Sequence, residues 1–203
     1  MEFFEYGQKE IEYLISKDKK LGAAIEKIGM IKREINPEPF TALVSSIVSQ
    51  QISKKAAETV WNRLCSLLGN ITPESIAQMT LSEIQGCGMT VRKAEYIKGI
   101  ANAAMIGEIN FRTLHTLTDE EIIKKLSALN GIGIWTAEML LIFSLCRPDV
   151  VSYGDLAIRR GMMRLYGLID LPKEKFNKYR KIYSPYGSVA SLYLWELSHV
   201  IVK

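Results

Sequence analysis

The sequence predicts an all-α protein folded as two helical lobes, on three observations. Apolar residues recur at helical spacing, in Leu43, Val44, Ile47, Val48 and Ile52 and again in Met139, Leu140, Ile142, Phe143 and Leu145, the pattern of helices with one buried face. No stretch sustains the alternation of a half-buried strand. Two proline breaks, Asn36-Pro37-Glu38-Pro39 and Arg147-Pro148-Asp149, divide the chain into a short N-terminal piece, a central block and a C-terminal piece. A piece of about 37 residues is too small to bury a core alone. Residues 1–37 are therefore expected to pack with 148–203 as one lobe, 38–147 to form the other, and a cleft to lie between them.

About ten short helices follow along the chain. One begins near Phe40 and ends at Gln50-Gln51. Thr72-Pro73-Glu74-Ser75 and Thr80-Leu81-Ser82-Glu83 each supply a capping threonine and polar first-turn partners, and Thr118-Asp119-Glu120-Glu121 does the same. The stretch Leu129 to Ala137 then joins two apolar helical segments through Gly131-Ile132-Gly133, with the second helix opening near Ile134. Gly154 breaks the run Val150-Val151-Ser152-Tyr153, and Asp155 stands where the next helix starts. Pro172 with Lys173-Glu174 opens a later one.

The chain has 203 residues, of which 48% are hydrophobic, enough for a sizeable buried interior. Twenty-six basic against 22 acidic residues give a net charge of +4, which permits polyanion binding without implying it. Cys65, Cys87 and Cys146 are widely spaced and form no Cys-x-x-Cys pair, which excludes a disulfide framework and a cysteine-rich metal or iron–sulfur site. His115 and His199 have no carboxylate-rich neighbours at ligand spacing, so neither a histidine metal site nor a histidine-based triad is expected. The N-terminus carries Glu2 and Glu5 rather than a basic leader, and no apolar run approaches the roughly 18 residues of a membrane span. A cytoplasmic protein without membrane association is expected.

Four segments carry chemistry. Gly131 and Gly133 can take positive φ and leave no Cβ in the way, while the helix after them offers N–H groups and the positive end of its dipole, so this turn suits a phosphate backbone. Asp155 reads structurally as an N-cap, and the same position favours a negative charge beside a developing cation; the two roles are compatible. Arg159, Arg160 and Arg164, on neighbouring faces of the following helix, read as solvated surface, from which at least one can reach a phosphate. Gln50 and Gln51 can satisfy loop backbone or fill the space left by a displaced base. Gly88-Met89-Thr90-Val91-Arg92-Lys93 combines apolar side chains with flanking cations, the composition of a buried turn or of a wedge that unstacks a duplex. Trp135, Tyr153, Tyr183, Tyr186, Tyr193 and Trp195 gather in the C-terminal half; most belong to a core, and a few could stack on a planar, electron-poor base.

Taken together, Leu129 to Ala137, Asp155 twenty residues after Trp135, the segment from Phe40 to Ser53, Gly88 to Glu95 and Ser184-Pro185-Tyr186-Gly187-Ser188-Val189-Ala190 resemble the helix-hairpin-helix (HhH-GPD) DNA glycosylases. Within them the resemblance is to the bacterial 3-methyladenine DNA glycosylase II (AlkA) type, and it spans about residues 38 to 197. It implies two helical lobes, a helix-hairpin-helix motif on double-stranded damaged DNA, a base flipped into the cleft, and hydrolysis of its N-glycosidic bond. Asp155 would be the catalytic carboxylate. Trp135, Phe40, Met139, Tyr183 and Tyr186 would line the base pocket. Gly131, Ile132, Gly133 and Thr136 would hold the backbone with Arg159 and Arg92. Met89, Thr90 and Val91 would form the wedge, and Gln50 or Gln51 would face the orphaned strand. The carbonyls of Ser127, Leu129 and Ile132 match positions that can hold a sodium or potassium ion; no other cofactor is implied.

Strand-cleaving members of the family carry a lysine where this chain has Trp135, and an indole cannot form a Schiff base. A monofunctional hydrolase acting as a monomer on 3-methyladenine and 7-methylguanine is therefore expected. The alternatives are a glycosylase for oxidised or deaminated bases and a non-catalytic DNA-structure binder. Two departures stand out. No counterpart of the β-rich N-terminal domain of longer bacterial members is expected, and Gly187 stands where arginine is common.

Overall fold

A computed structural model describes residues 2–199. Among them are twelve α-helices and one two-stranded sheet. The chain divides into two compact units, one comprising the chain up to Ile35 and from Leu141 onward, the other Asn36–Leu140. The expected boundaries at 37/38 and 147/148 follow the prolines, whereas the units meet at Ile35/Asn36 and, inside helix α9 (Ile134–Phe143), at Leu140/Leu141, so the last turn of α9 falls in the first unit.

The first unit opens with β1 (Glu2–Phe3), α1 (Gln8–Lys17), α2 (Lys19–Ile28) and β2 (Glu34–Ile35). β1 and β2 pair antiparallel, with Glu2 opposite Ile35 and Phe3 opposite Glu34. Two residues per strand are too few to leave an alternation in the sequence. Asp18 ends α1 and caps α2, its Oδ1 accepting the N–H groups of Lys20 and Leu21, each at 2.9 Å. The same unit contains α10 (Leu156–Tyr166), α11 (Lys173–Tyr183) and α12 (Gly187–His199). The N-terminal piece joins these helices through named contacts: Tyr13 donates to the Ser184 carbonyl at 2.6 Å, Tyr193 to that of Gly29 at 3.1 Å, and Arg33 pairs with Glu196 at 3.1 Å. Gly161 lets α10 and α12 meet at backbone distance, since a Cβ there would lie 1.9 Å from the Leu194 carbonyl oxygen.

The second unit contains α3 (Pro39–Ser49), α4 (Lys54–Leu68), α5 (Pro73–Gln78), α6 (Leu81–Gly86), α7 (Val91–Met105), a 3₁₀ turn at Phe111–Thr116, α8 (Asp119–Ser127) and the start of α9. Thr72, Thr80 and Thr118 all form the expected reciprocal caps with the residue three positions on. Two lysines of α7 fasten it to other helices at their negative ends: Lys93 donates to the carbonyls of Val48 and Gln50 at 2.8 and 2.6 Å, and Lys98 to those of Ala77 and Met79. Leu43, Val44, Ile47, Leu64, Ile76, Ile84, Ile97, Ile122 and Leu126 are fully buried around this spine. Among the described residues no helix is long and apolar enough to cross a membrane.

Candidate nucleic-acid interface

The hairpin turn is built by two glycines used in different ways. Gly131 adopts φ +87, and a Cβ on it would come within 2.3 Å of the Tyr96 ring, so this glycine admits an aromatic side chain of its own unit. Gly133, contrary to the sequence expectation, is not left-handed, and a Cβ there would meet nothing within 4 Å. It is exposed and acts as the N-cap of α9, its carbonyl accepting the Ala137 N–H at 3.1 Å. Glycine is only modestly favoured at an N-cap, and no neighbour within the unit requires it here. The missing side chain leaves the backbone here open to solvent.

These two glycines predict opposite results. Gly131→Ala should cost about 2 kcal/mol from the left-handed backbone, before any displacement of Tyr96. Gly133→Ala should leave the melting temperature within a degree or so, since nothing is displaced, yet weaken binding to a DNA duplex. Thermal melting and a DNA titration read both.

The end of α3 stands beside this turn. The Gln50 side-chain Nε2 donates to the Gly131 carbonyl at 3.0 Å, so Gln50 braces the hairpin; the more exposed residue of the pair is Gln51, held at φ +56. A groove of about 660 Å³ brings together Ser46, Gln50, Gln51, Thr90, Arg92 and Trp135, with Ser49, Ile52, Lys93 and Tyr96 completing its walls. Three segments singled out in the sequence thus line one concavity. Trp135 is 45% exposed in it. The Arg92 guanidinium lies 5.9 Å from the Tyr96 ring centroid, and burial lowers the pKa of Lys93 while its ammonium stays bonded to two carbonyls. Ser46 and Tyr96 escaped the sequence reading; the spacing of Arg92 and Tyr96, four apart along α7, was the available signal for the second.

The wedge is narrower than expected. Met89 is buried, and the Thr90 hydroxyl caps α7 by accepting the Lys93 N–H at 3.3 Å. Val91, about half exposed, is the apolar side chain left at the tip. Thr136 and the Ile132 side chain are also buried, so what this part of the hairpin presents is backbone. The Leu129 carbonyl accepts the Ile132 N–H at 3.2 Å and the Ser127 hydroxyl turns back to the Lys124 carbonyl at 3.4 Å. A carbonyl keeps a second lone pair, so the Leu129 oxygen can accept once more. Among the described residues no group of three or more histidine, cysteine, aspartate or glutamate side chains comes together as a metal site.

Two expected pocket residues, Phe40 and Tyr183, are enclosed in the interior of their own units. Phe40 is buried edge-on against Phe111, with ring centroids 5.3 Å apart, and lines a separate cavity with Ile71 and Met105. It belongs to the interior of the second unit, not to the groove of Trp135. Met139 is half-buried, one helical turn beyond Trp135 on α9. Tyr183 is fully buried: its hydroxyl meets that of Tyr166 at 2.7 Å, and Tyr166 donates to the Asp18 carboxylate. Burial pushes the pKa of both phenols up. A ring so enclosed cannot stack on an entering base. Tyr186 is half-buried and lies edge-on to Tyr13 at 5.1 Å.

Asp155, in the first unit, caps α10 as expected. Its Oδ1 accepts the N–H groups of Ala157 and Ile158 at 2.8 and 2.9 Å, and the residue is only 7% exposed. One turn on, the Arg159 guanidinium lies 5.1 Å from the Tyr153 ring, which is itself edge-on to Phe176. Arg164 is committed to the carbonyls of Leu197 and Ser198 at the end of α12, which removes it from the candidate phosphate contacts and leaves Arg159 and Arg160.

Known proteins fit this arrangement. The sequence profile of the HhH-GPD superfamily base excision DNA repair proteins matches residues 44–185. The DNA-3-methyladenine glycosylase 1 of Schizosaccharomyces pombe is 39% identical over 166 residues, covering 79% of this chain and 73% of that protein. The crystal structure of a DNA-3-methyladenine glycosidase from Bacillus halodurans superposes with a TM-score of 0.88 at 36% identity, covering 98% of this chain and 94% of the other. A Schizosaccharomyces pombe 3-methyladenine DNA glycosylase in complex with abasic DNA superposes with a TM-score of 0.81 at 34% identity, over 95% and 98% of the two chains.

Proposed function

The chain belongs to the HhH-GPD superfamily of base excision DNA repair proteins, and from that premise we propose that it hydrolyses the N-glycosidic bond of N-alkylated purines, 3-methyladenine and 7-methylguanine, in duplex DNA. The names of its relatives support the alkylated-purine substrate. The observation that carries the catalytic part is Asp155, a nearly buried carboxylate whose Oδ1 is fixed by two N–H groups of its own helix. A carboxylate held this way faces little reorganisation as positive charge develops on a sugar.

The reaction needs few groups. An N-alkylated purine already carries positive charge and leaves with the bonding electron pair, so no strong acid is required at the leaving group. Asp155 stabilises the cationic deoxyribose, and water adds its oxygen to C1′ and loses a proton. Flipping the damaged nucleotide costs a few kcal/mol, less where pairing is already weak. The exposed backbone at Gly133 and the first turn of α9 hold a phosphate, Val91 enters the stack, Gln51 takes the vacated space, and Trp135 lines the base site. Arg159 and Arg92 add phosphate contacts. A sodium or potassium ion on the carbonyls of Ser127, Leu129 and Ile132 would add a positive charge beside the backbone. One protein molecule suffices for this chemistry.

Catalysis without strand cleavage is the finer part of the proposal. Trp135 offers no amine, and the amine lining the same groove, Lys93, is bound to the Val48 and Gln50 carbonyls. Duplex DNA treated with a methylating agent should release free purine and show strand breaks only after alkali. Borohydride should trap no covalent complex, because only an imine to an enzyme amine can be reduced. Breaks before alkali, or a trapped adduct, would refute the monofunctional assignment.

A further inference from the structure

We propose that Asp149 and Ser188 are positioning residues for Asp155, and that the Arg147-Pro148-Asp149 and Ser184–Ala190 motifs are the two halves of one clasp. The inference rests on the proposed base-releasing role of Asp155. The Asp149 carboxylate spans the start of α12: Oδ1 accepts the Gly187 N–H at 3.0 Å and Oδ2 the Ser184 hydroxyl at 2.5 Å. The Ser188 N–H donates to the Pro148 carbonyl at 2.9 Å, while its hydroxyl accepts the Val150 N–H at 3.0 Å and donates to the Arg147 carbonyl. The Ser191 hydroxyl donates to the Val150 carbonyl at 2.9 Å. Ser188 and Ser191 are fully buried and three residues apart, so they share a face of α12.

Buried serines in an apolar helix are unfavourable unless their hydroxyls find partners. Here the partners are backbone groups of Arg147 and Val150, on a segment that belongs to no helix or strand. Arg147 to Val150 is hung along α12 by this set of bonds, and Val151 and Ser152 continue it, buried, toward Asp155. Gly187 is required by the same contact: a Cβ would stand 2.6 Å from Asp149 Oδ1 and 2.8 Å from Val151 Cγ2. An arginine at 187 would displace the Asp149 carboxylate and crowd Val151.

The carboxylate is thereby located twice, by the α10–α12 backbone contact at Gly161 behind it and by the clasp ahead of it. A displacement on the order of 1 Å at a reacting group costs about a hundredfold in rate. This is the lever through which Asp149 and Ser188 act without touching substrate.

The test compares Ser188→Ala, Asp149→Ala and Asp149→Asn under single-turnover conditions on methylated duplex, with abasic-DNA affinity, thermal melting and amide hydrogen exchange measured alongside. The two alanine variants should keep a cooperative melt and near wild-type affinity, release base about 10- to 100-fold more slowly, and, for Ser188→Ala, exchange the Val150 amide faster. Asn retains an acceptor for the Gly187 N–H, so Asp149→Asn should restore most of the rate. Alanine variants releasing base at the wild-type rate would overturn the inference. So would losses of affinity and melting temperature that account for the rate, or an Asp149→Asn as slow as Asp149→Ala, which would make the charge itself the agent. A wild type that releases no base would instead refute the proposed function, while Val150 exchange would still report whether the clasp exists.

Discussion

Asp155→Asn is expected to slow base release by about 10²- to 10³-fold, or more, while the protein stays folded and keeps its affinity for abasic duplex DNA. Asparagine caps helices about as well as aspartate, so the contacts to Ala157 and Ile158 persist and α10 stays anchored. What disappears is the negative charge beside the developing sugar cation, and removal of one preorganised electrostatic contact typically costs that much. Asp155→Ala removes cap and charge together and should lose about 1 kcal/mol of stability in addition. The difference between the two variants separates the structural role of Asp155 from the chemical one. Single-turnover base release and thermal melting measure it.

Gly161→Ala should be the most damaging small substitution in the first unit, costing about 3–5 kcal/mol. On helix propensity alone it would gain about 1 kcal/mol, since alanine replaces glycine inside α10. The contact with α12 reverses the sign. The new methyl would lie 1.9 Å from the Leu194 carbonyl oxygen and 2.7 Å from its carbonyl carbon, and backbone atoms cannot rotate away as a flexible side chain can. The helices must part, releasing buried contacts around Ile158 and Met162. Against a total stability of about 5–15 kcal/mol, the variant should melt far below the wild type or fail to fold. A melting temperature at or above the wild type's would show that α10 and α12 are not in backbone contact.

Local signals were legible in the sequence because their causes are local. The capping threonines Thr72, Thr80 and Thr118 bond to residues three positions away, and Asp155 caps its own helix. What the sequence concealed depends on partners far along the chain. Gly131 reads as clearance for a phosphate, yet its missing side chain admits Tyr96. Gln50 reads as a free amide and donates to Gly131. Tyr183 reads as a stacking surface until Tyr166 and Asp18 enclose it. No periodicity or composition encodes such meetings. Gly187 is the instructive case, since its departure from the usual arginine gains a physical reason only when Asp149 and Val151 are seen against it.

The central claim is that this chain excises alkylated purines from DNA by a hydrolysis that depends on the Asp155 carboxylate. The most direct measurement is chromatographic quantitation of free 3-methyladenine and 7-methylguanine released from a methylated duplex, wild type beside Asp155→Asn at equal occupancy of DNA. The account predicts release by the wild type and near-background release by the variant. No release by the wild type, or equal release by the two proteins, would contradict it.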